Sequence, residues 1–214
     1  MPSTTSADAT REEKRLAIRK AAYRCFSENG YHCTAVRDVC KAAGISKGTF
    51  YWYFDSKQAV FVEIIDGWAN EVEGEMQSQF TTAMASENAW GTITRAVERE
   101  ALRSRSVVPL WLDFLAEAAR HDYARIALAR FHNRLLDVLT ELLKIALTDS
   151  ASPEEPRALA SSALAMFFGL LCQELADPEQ ASFSAHARTF MTVMQRVTVS
   201  PTESDSKQDG PHDA

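Results

Sequence analysis

Ile18, Ala22 and Phe26 recur at i, i+4 and i+8 with Ala21 and Cys25 beside them, one apolar stripe that predicts a helix over about 11–29. Gly30 follows where a helix of that phase would end. Thr34 is placed to cap a second helix with Val36, Val39 and Ala43 on its inner face. Gly44 then makes a turn, and Ser46 caps a third helix of about two turns. Ser56 caps a fourth, which buries Val60, Phe61, Ile64, Ile65 and Trp68. Further helices are predicted at about 89–104, 107–120, 122–147, 156–175 and 180–198. Pro109 falls in a first turn, where its missing N–H costs little, and Asp122 reads as an N-cap that divides one long pattern into two. Prolines between Thr148 and Pro156, and Asp177-Pro178, mark loops. No segment alternates with period two, and no repeat is visible, so the predicted class is all-α.

The same pattern divides the chain. Residues 1–10 are rich in Ser, Thr and Ala and are expected to be disordered, as is the polar tail 200–214. Residues 11–57 form a three-helix head with a helix-turn-helix, and residues 58–199 a larger helical domain.

Charge sharpens this division. The 214-residue chain has a net charge of −6, which alone argues against a polyanionic partner. Residues 1–57, however, hold ten Lys and Arg against six Asp and Glu, a balance of +4, and the remainder holds thirteen against twenty-three, a balance of −10. A basic head on an acidic body favours one docking orientation on a polyanion. No stretch is expected to supply the roughly 18–20 apolar residues of a membrane span. The start of the chain lacks the pattern of a secretory signal, which points to the cytoplasm. Cys25, Cys33, Cys40 and Cys172 form no C-x-x-C pair and are expected to be reduced there.

The densest motif is Ala43-Gly44-Ile45-Ser46-Lys47-Gly48-Thr49, followed by Tyr51, Tyr53-Phe54 and Ser56-Lys57. With Thr34, Val36, Val39 and the first-helix core, it resembles the DNA-binding domain of the TetR family of bacterial repressors over about residues 11–65. Leu110-Trp111-Leu112-Asp113-Phe114 through Arg120, and Gly169-Leu170-Leu171 with Asp177-Pro178, are similar to later parts of that family. Cys40 and Trp52 depart from it, one in place of a smaller residue and one bulky for its position. Residue by residue, Ser46 and Lys47 open the short helix whose N-terminal end meets base edges, and Lys47 suits guanine O6 or N7. Gly48 lets the backbone approach a groove. Tyr51, Trp52, Tyr53, Lys57 and Thr34 are expected to contact phosphates, Thr49 a phosphate or a thymine methyl, and Arg37 a base or phosphate.

Gly44-Ile45-Ser46-Lys47-Gly48 also fits the G-x-S-x-G elbow of hydrolases, but that chemistry needs a strand before the serine, and here a helix precedes it. The five histidines form no metal-binding spacing, so no metal or cofactor is expected. Cys33, beside a turn, is the candidate for a redox switch.

In the larger domain, Leu164, Phe168 and Leu171 make one stripe, and Phe183, Phe190, Val193, Met194 and Val197 another. Two such helices from each of two copies would build a four-helix homodimer interface. The resemblance implies a pocket for a small organic effector, for which Trp68, Trp90, Trp111, Phe114, Phe131 and Phe167 are the candidate lining. Glu71, Glu75 and Glu117 read either as partners of a cationic effector or as a solvated face. The expectation is a homodimeric, effector-responsive repressor of a palindromic double-stranded DNA operator, with a ligand-binding dimer lacking DNA function as the alternative.

Overall fold

Ser46 and Ser56 start two helices in the way their positions predict. The Ser46 hydroxyl accepts the Thr49 amide at 3.0 Å and the Ser56 hydroxyl the Ala59 amide at 3.1 Å. Each satisfies a donor that a helix start leaves unpaired. The computed structural model describes residues 4–146, 155–179 and 182–198, and all regular structure among them is helical. The elements are α1 (Thr4–Asn29), α2 (Val36–Ala43), α3 (Lys47–Tyr53), α4 (Lys57–Met84), α5 (Ala89–Ser104), α6 (Val108–Ala118), α7 (Asp122–Ala146), α8 (Glu155–Ala176) and α9 (Phe183–Thr198). Residues 1–3 and the tail 200–214 lie outside the described residues.

Four expectations change. α1 begins at Thr4, so residues 4–10 are helical rather than disordered; no Gly or Pro interrupts Thr4–Arg11, and a helix already held by packing propagates backward through such residues. Thr34 does not cap α2. Ala35 takes that place, with its amide given to the Asp38 carboxylate at 2.9 Å. Asp122 is the first residue of α7 and pairs with Arg125 at 2.8 Å. Finally, α8 is by length and composition apolar enough to cross a membrane, although its inner side packs on α7 and α9.

Gly44 ends α2 in the left-handed region (φ +66°), where a Cβ is costly, and the Ile45 amide closes the turn on Cys40 O at 3.0 Å. The turn sets α3 across α2. Phe50, Phe54, Val39, Ile18, Ala22 and Phe26 are buried together under it. This head core does not stop at residue 57. Phe26 meets Phe61 edge-on at 5.6 Å, Phe61 meets Phe114 at 5.5 Å, and Phe114 meets Trp111 at 5.8 Å. Trp111 stacks on Phe168 at 4.9 Å and meets Trp68 at 5.5 Å. One aromatic ladder thus runs from the head into the body, and head and body share one core.

Candidate functional site

The outer side of α3 is a row of uncovered groups. Ser46, Lys47 and Gly48 are exposed, Tyr51 is 52% and Trp52 62% exposed, and Thr49 and Tyr53 are half-buried. The Ser46 and Thr49 hydroxyls lie 2.9 Å apart, which holds the first turn. Arg11 of α1 lies over the Trp52 ring at 4.9 Å and steadies it from the side. Arg37 on α2 is exposed and pairs loosely with Asp38 at 3.5 Å. A Cβ on Gly48 would meet nothing closer than Ser46 Oγ at 3.7 Å, so the fold itself does not require glycine there. Glycine inside a helix costs about 0.5–1 kcal/mol relative to alanine.

Two expected phosphate contacts belong instead to the mount of this row. The Lys57 ammonium donates to Tyr31 O at 2.8 Å and Thr34 O at 3.0 Å and lies 4.2 Å above the Tyr31 ring. Burial pulls its pKa down. Thr34 is buried, its hydroxyl donating to Cys25 O at 3.0 Å and Gly30 O at 2.9 Å. Both side chains donate to backbone carbonyls of the last turn of α1 and of the α1–α2 connection, and these hold them inside.

Behind the mount lies a polar junction that motif reading did not reveal. Glu117 of α6 is buried and accepts the Tyr123 hydroxyl, while His32 of the head places Nε2 3.1 Å from Glu117 Oε1. The Tyr31 and Tyr123 hydroxyls are 3.2 Å apart, and the Tyr31 amide donates to Asp113 of α6 at 2.8 Å. Burial and the neighbouring Glu117 carboxylate push the Tyr123 phenol far above its ordinary pKa, so it stays a donor. Glu117 is therefore neither a partner for a cationic effector nor a solvated group. It joins the head to α6.

The body encloses a cavity of about 220 Å³ between α4, α5, α7, α8 and α9. Trp68, Trp90, Phe131 and Phe167 line it. Phe114 and Trp111 do not line it. Phe114 is fully buried against Phe61, and Trp111 stands behind Phe168 as a rung of the ladder. Their stripe on α6 faces the head core and the inner side of α8. Glu75 and Glu100 reach the wall along the α4–α5 seam, while Glu71 is exposed and off it. Burial raises the Glu100 pKa, partly offset by Arg103.

The α8 stripe expected to join two copies turns inward, as do Phe183 and Phe190 of the α9 stripe. Leu164, Leu171 and Phe183 are buried within the chain, and Phe168 and Phe190 line the cavity. Val193 is 50% exposed, and the side chains of Met194 and Val197 lie outside the described residues. α8 is apolar on several sides, and its bulky side was taken up by the intrachain core because only that side fills the space against α7. The side left uncovered carries Ala158, Ser161, Ser162, Ala165 and Gly169.

Ser46 follows a helix and has Thr49 as its partner, so no nucleophile elbow forms. Among the described residues no three His, Cys, Asp or Glu side chains gather as a metal site. Cys33 is exposed, whereas burial raises the Cys25 and Cys40 thiols.

Residues 18–64 match the profile of bacterial regulatory proteins of the tetR family. Residues 91–197, half of the chain, match the C-terminal domain of BetI-type transcriptional repressors. The uncharacterized HTH-type transcriptional regulator YdgC of Bacillus subtilis is 34% identical over 101 residues, 47% of this chain and 48% of YdgC. The HTH-type transcriptional regulator EthR of Mycobacterium tuberculosis is 29% identical over 120 residues, 49% of this chain and 56% of EthR. The chain thus spans about half the length of these curated relatives. A solved structure from Mesorhizobium loti, described as a TetR-family transcriptional regulator, shares the fold with a TM-score of 0.69 at 21% identity, covering 87% of this chain and 96% of that one.

Proposed function

The chain belongs to the TetR family of bacterial transcriptional regulators, and on that footing we propose that it is a homodimeric repressor that holds a palindromic operator with two copies of α3 and releases it when a small organic effector fills the cavity. Its relatives are regulators, not enzymes. The observation that carries this reading is the exposed row from Ser46 to Trp52 on a helix fixed from beneath by Phe50 and Phe54. A short rigid helix with a lysine and a glycine at its start is suited to the major groove. Lys47 reads a base edge, and Ser46, Thr49, Tyr51, Trp52, Tyr53 and Arg37 position the head on the backbone. Thr34 and Lys57 leave that set and brace the head instead.

Two copies are needed to set half-sites about one helical turn, roughly 34 Å, apart. The uncovered side of α8, with its small residues, permits close helix–helix approach, and α9, which packs on α8, leaves Val193 half exposed. Effector release follows from the shared core. Trp68 on the cavity wall and Lys57 under the head are on the same helix, α4. An effector that favours one setting of α4 over another shifts the head by population. The site of action is the cytoplasm, where the operator is.

The test is a gel shift with DNA flanking its own and neighbouring genes. Salt-sensitive binding much tighter than to random DNA is expected; affinity equal to random DNA would refute the proposal. In the same assay Lys47→Ala should lose about 1–3 kcal/mol at one base-pair position; uniform loss over all sequences reassigns it to phosphate. Gly48→Ala should stabilise the fold by about 0.5 kcal/mol in thermal melts yet weaken the operator complex. Unchanged operator affinity would show that no surface approaches α3 closely there.

A further inference from the structure

Arg11, Arg15 and Arg19 recur at every fourth residue on one side of α1, about 6 Å apart along its axis. The inner two are committed. Arg15 donates to Glu63 Oε2 at 2.9 Å and lies 4.9 Å over the Phe54 ring, and Arg19 Nη1 is 4.0 Å from Glu63 Oε1. One carboxylate thus serves two guanidinium groups. Arg11, the outermost, is exposed and has no ion pair among the described residues. Glu12 and Glu13 are exposed as well, but their positions are turned about 100° and 160° away around α1. What Arg11 meets is the Trp52 ring, 4.9 Å away.

That contact uses only the flat face of the guanidinium. Its five N–H donors lie in the plane and stay open at the rim. The ring fixes that plane, so less freedom is lost when the donors engage a partner. The partner has to be an acceptor, and an anion suits it best. Trp52 lies near the far end of the outward row of α3, five residues or about 7.5 Å from Lys47. The major groove is about 12 Å wide, so a helix whose first turn meets base edges brings groups beside its far end to the phosphate wall. Arg11 also precedes residues 18–64, the stretch that matches the family profile, so that profile does not account for it.

Resting on the operator-binding reading above, the geometry points to Arg11 as a phosphate-binding residue held in place by Trp52. Through it α1 grips the strand that flanks the bases read by α3. Trp52 serves as the platform, and Arg11 supplies the charge.

The experiment follows log Kd against log salt concentration for the full chain on two duplexes of equal length. One comes from the DNA flanking its own gene, and the other has a shuffled sequence. Arg11→Gln keeps a long polar side chain without the charge. Its slope should fall by about 0.9 for each copy bound, a loss of about eightfold per copy at about 0.1 M salt that vanishes near about 1 M. Both duplexes should lose alike, because a phosphate carries no sequence. Trp52→Ala should reproduce that change of slope, and the double variant should add little to either, since one contact is lost once. The thermal midpoint of Arg11→Gln should match the parent, because the group is exposed. A parental slope for Arg11→Gln would overturn the proposal, as would full additivity of the two variants or a loss confined to one base-pair position. A lowered midpoint with a parental slope would make Arg11 a brace of the head alone. A parent that binds neither duplex in a salt-sensitive way would refute the operator reading, and this contact with it.

Discussion

Phe50→Ala is expected to cost about 3–5 kcal/mol of stability and to abolish operator binding. Phe50 is the one fully buried side chain of α3, tilted against Phe54 at 5.9 Å. Seven residues are too few to hold a helix by backbone hydrogen bonds alone, so packing on α1, α2 and α4 holds it. Removing the ring empties the space beneath the row that faces outward. Urea denaturation followed by circular dichroism measures the loss; a change under about 1 kcal/mol would mean that α3 is not mounted on this ring. Tyr51→Ala, one position along and half exposed, is the control and should stay within about 0.5 kcal/mol. Because head and body share a core, Phe50→Ala should unfold in one transition rather than lose the head first.

Glu117→Ala is the second large effect. Its carboxylate is the buried acceptor for Tyr123 and lies beside His32, so truncation leaves the half-buried phenol with only the Tyr31 hydroxyl and weakens the link between the head and α6. A buried hydrogen bond to a charged group contributes about 1.5–3 kcal/mol, and a loss of that size is expected. Tyr123→Phe removes only the donor and should cost about 1 kcal/mol. His32→Ala acts on an exposed partner and should cost less than about 1 kcal/mol, yet it loosens the same link. The informative readout is operator affinity relative to stability. Glu117→Ala should weaken operator binding more than Tyr51→Phe does, although Glu117 lies on α6, behind the head. Parent-like melting together with parent-like operator affinity would show that the junction does not orient the head.

The head was legible because its signals are local. Gly44 is needed for a left-handed turn, Ser46 and Ser56 cap within three residues, and the Phe50–Phe54 spacing fits one inner face. Where partners are distant, the residues gave no sign. Lys57 reads as a phosphate ligand by type, but its carbonyl partners lie 23 and 26 residues upstream. Glu117 is 85 residues from His32, and no spacing rule connects them. The choice of face on α8 was equally hidden. That helix carries large apolar residues at Leu164, Phe167, Phe168, Leu170 and Leu171 and small ones at Ala158, Ala165 and Gly169. Its periodicity therefore favours no side, and bulk against α7 decides which is buried. Phe114 and Trp111 were placed in the right domain but on the wrong surface, because aromatic content alone does not separate a wall from a rung.

The chain has four tryptophans, and their surroundings differ sharply. Trp111 is 6% exposed, Trp68 and Trp90 belong to the cavity wall, and Trp52 stands 62% open to water beneath the Arg11 guanidinium. A dissolved collisional quencher therefore reaches one indole far more readily than the others, and that indole is on the outward row of α3. The molecule carries a native optical reporter of whatever shields its tip, separable by quencher access from the reporters in its interior.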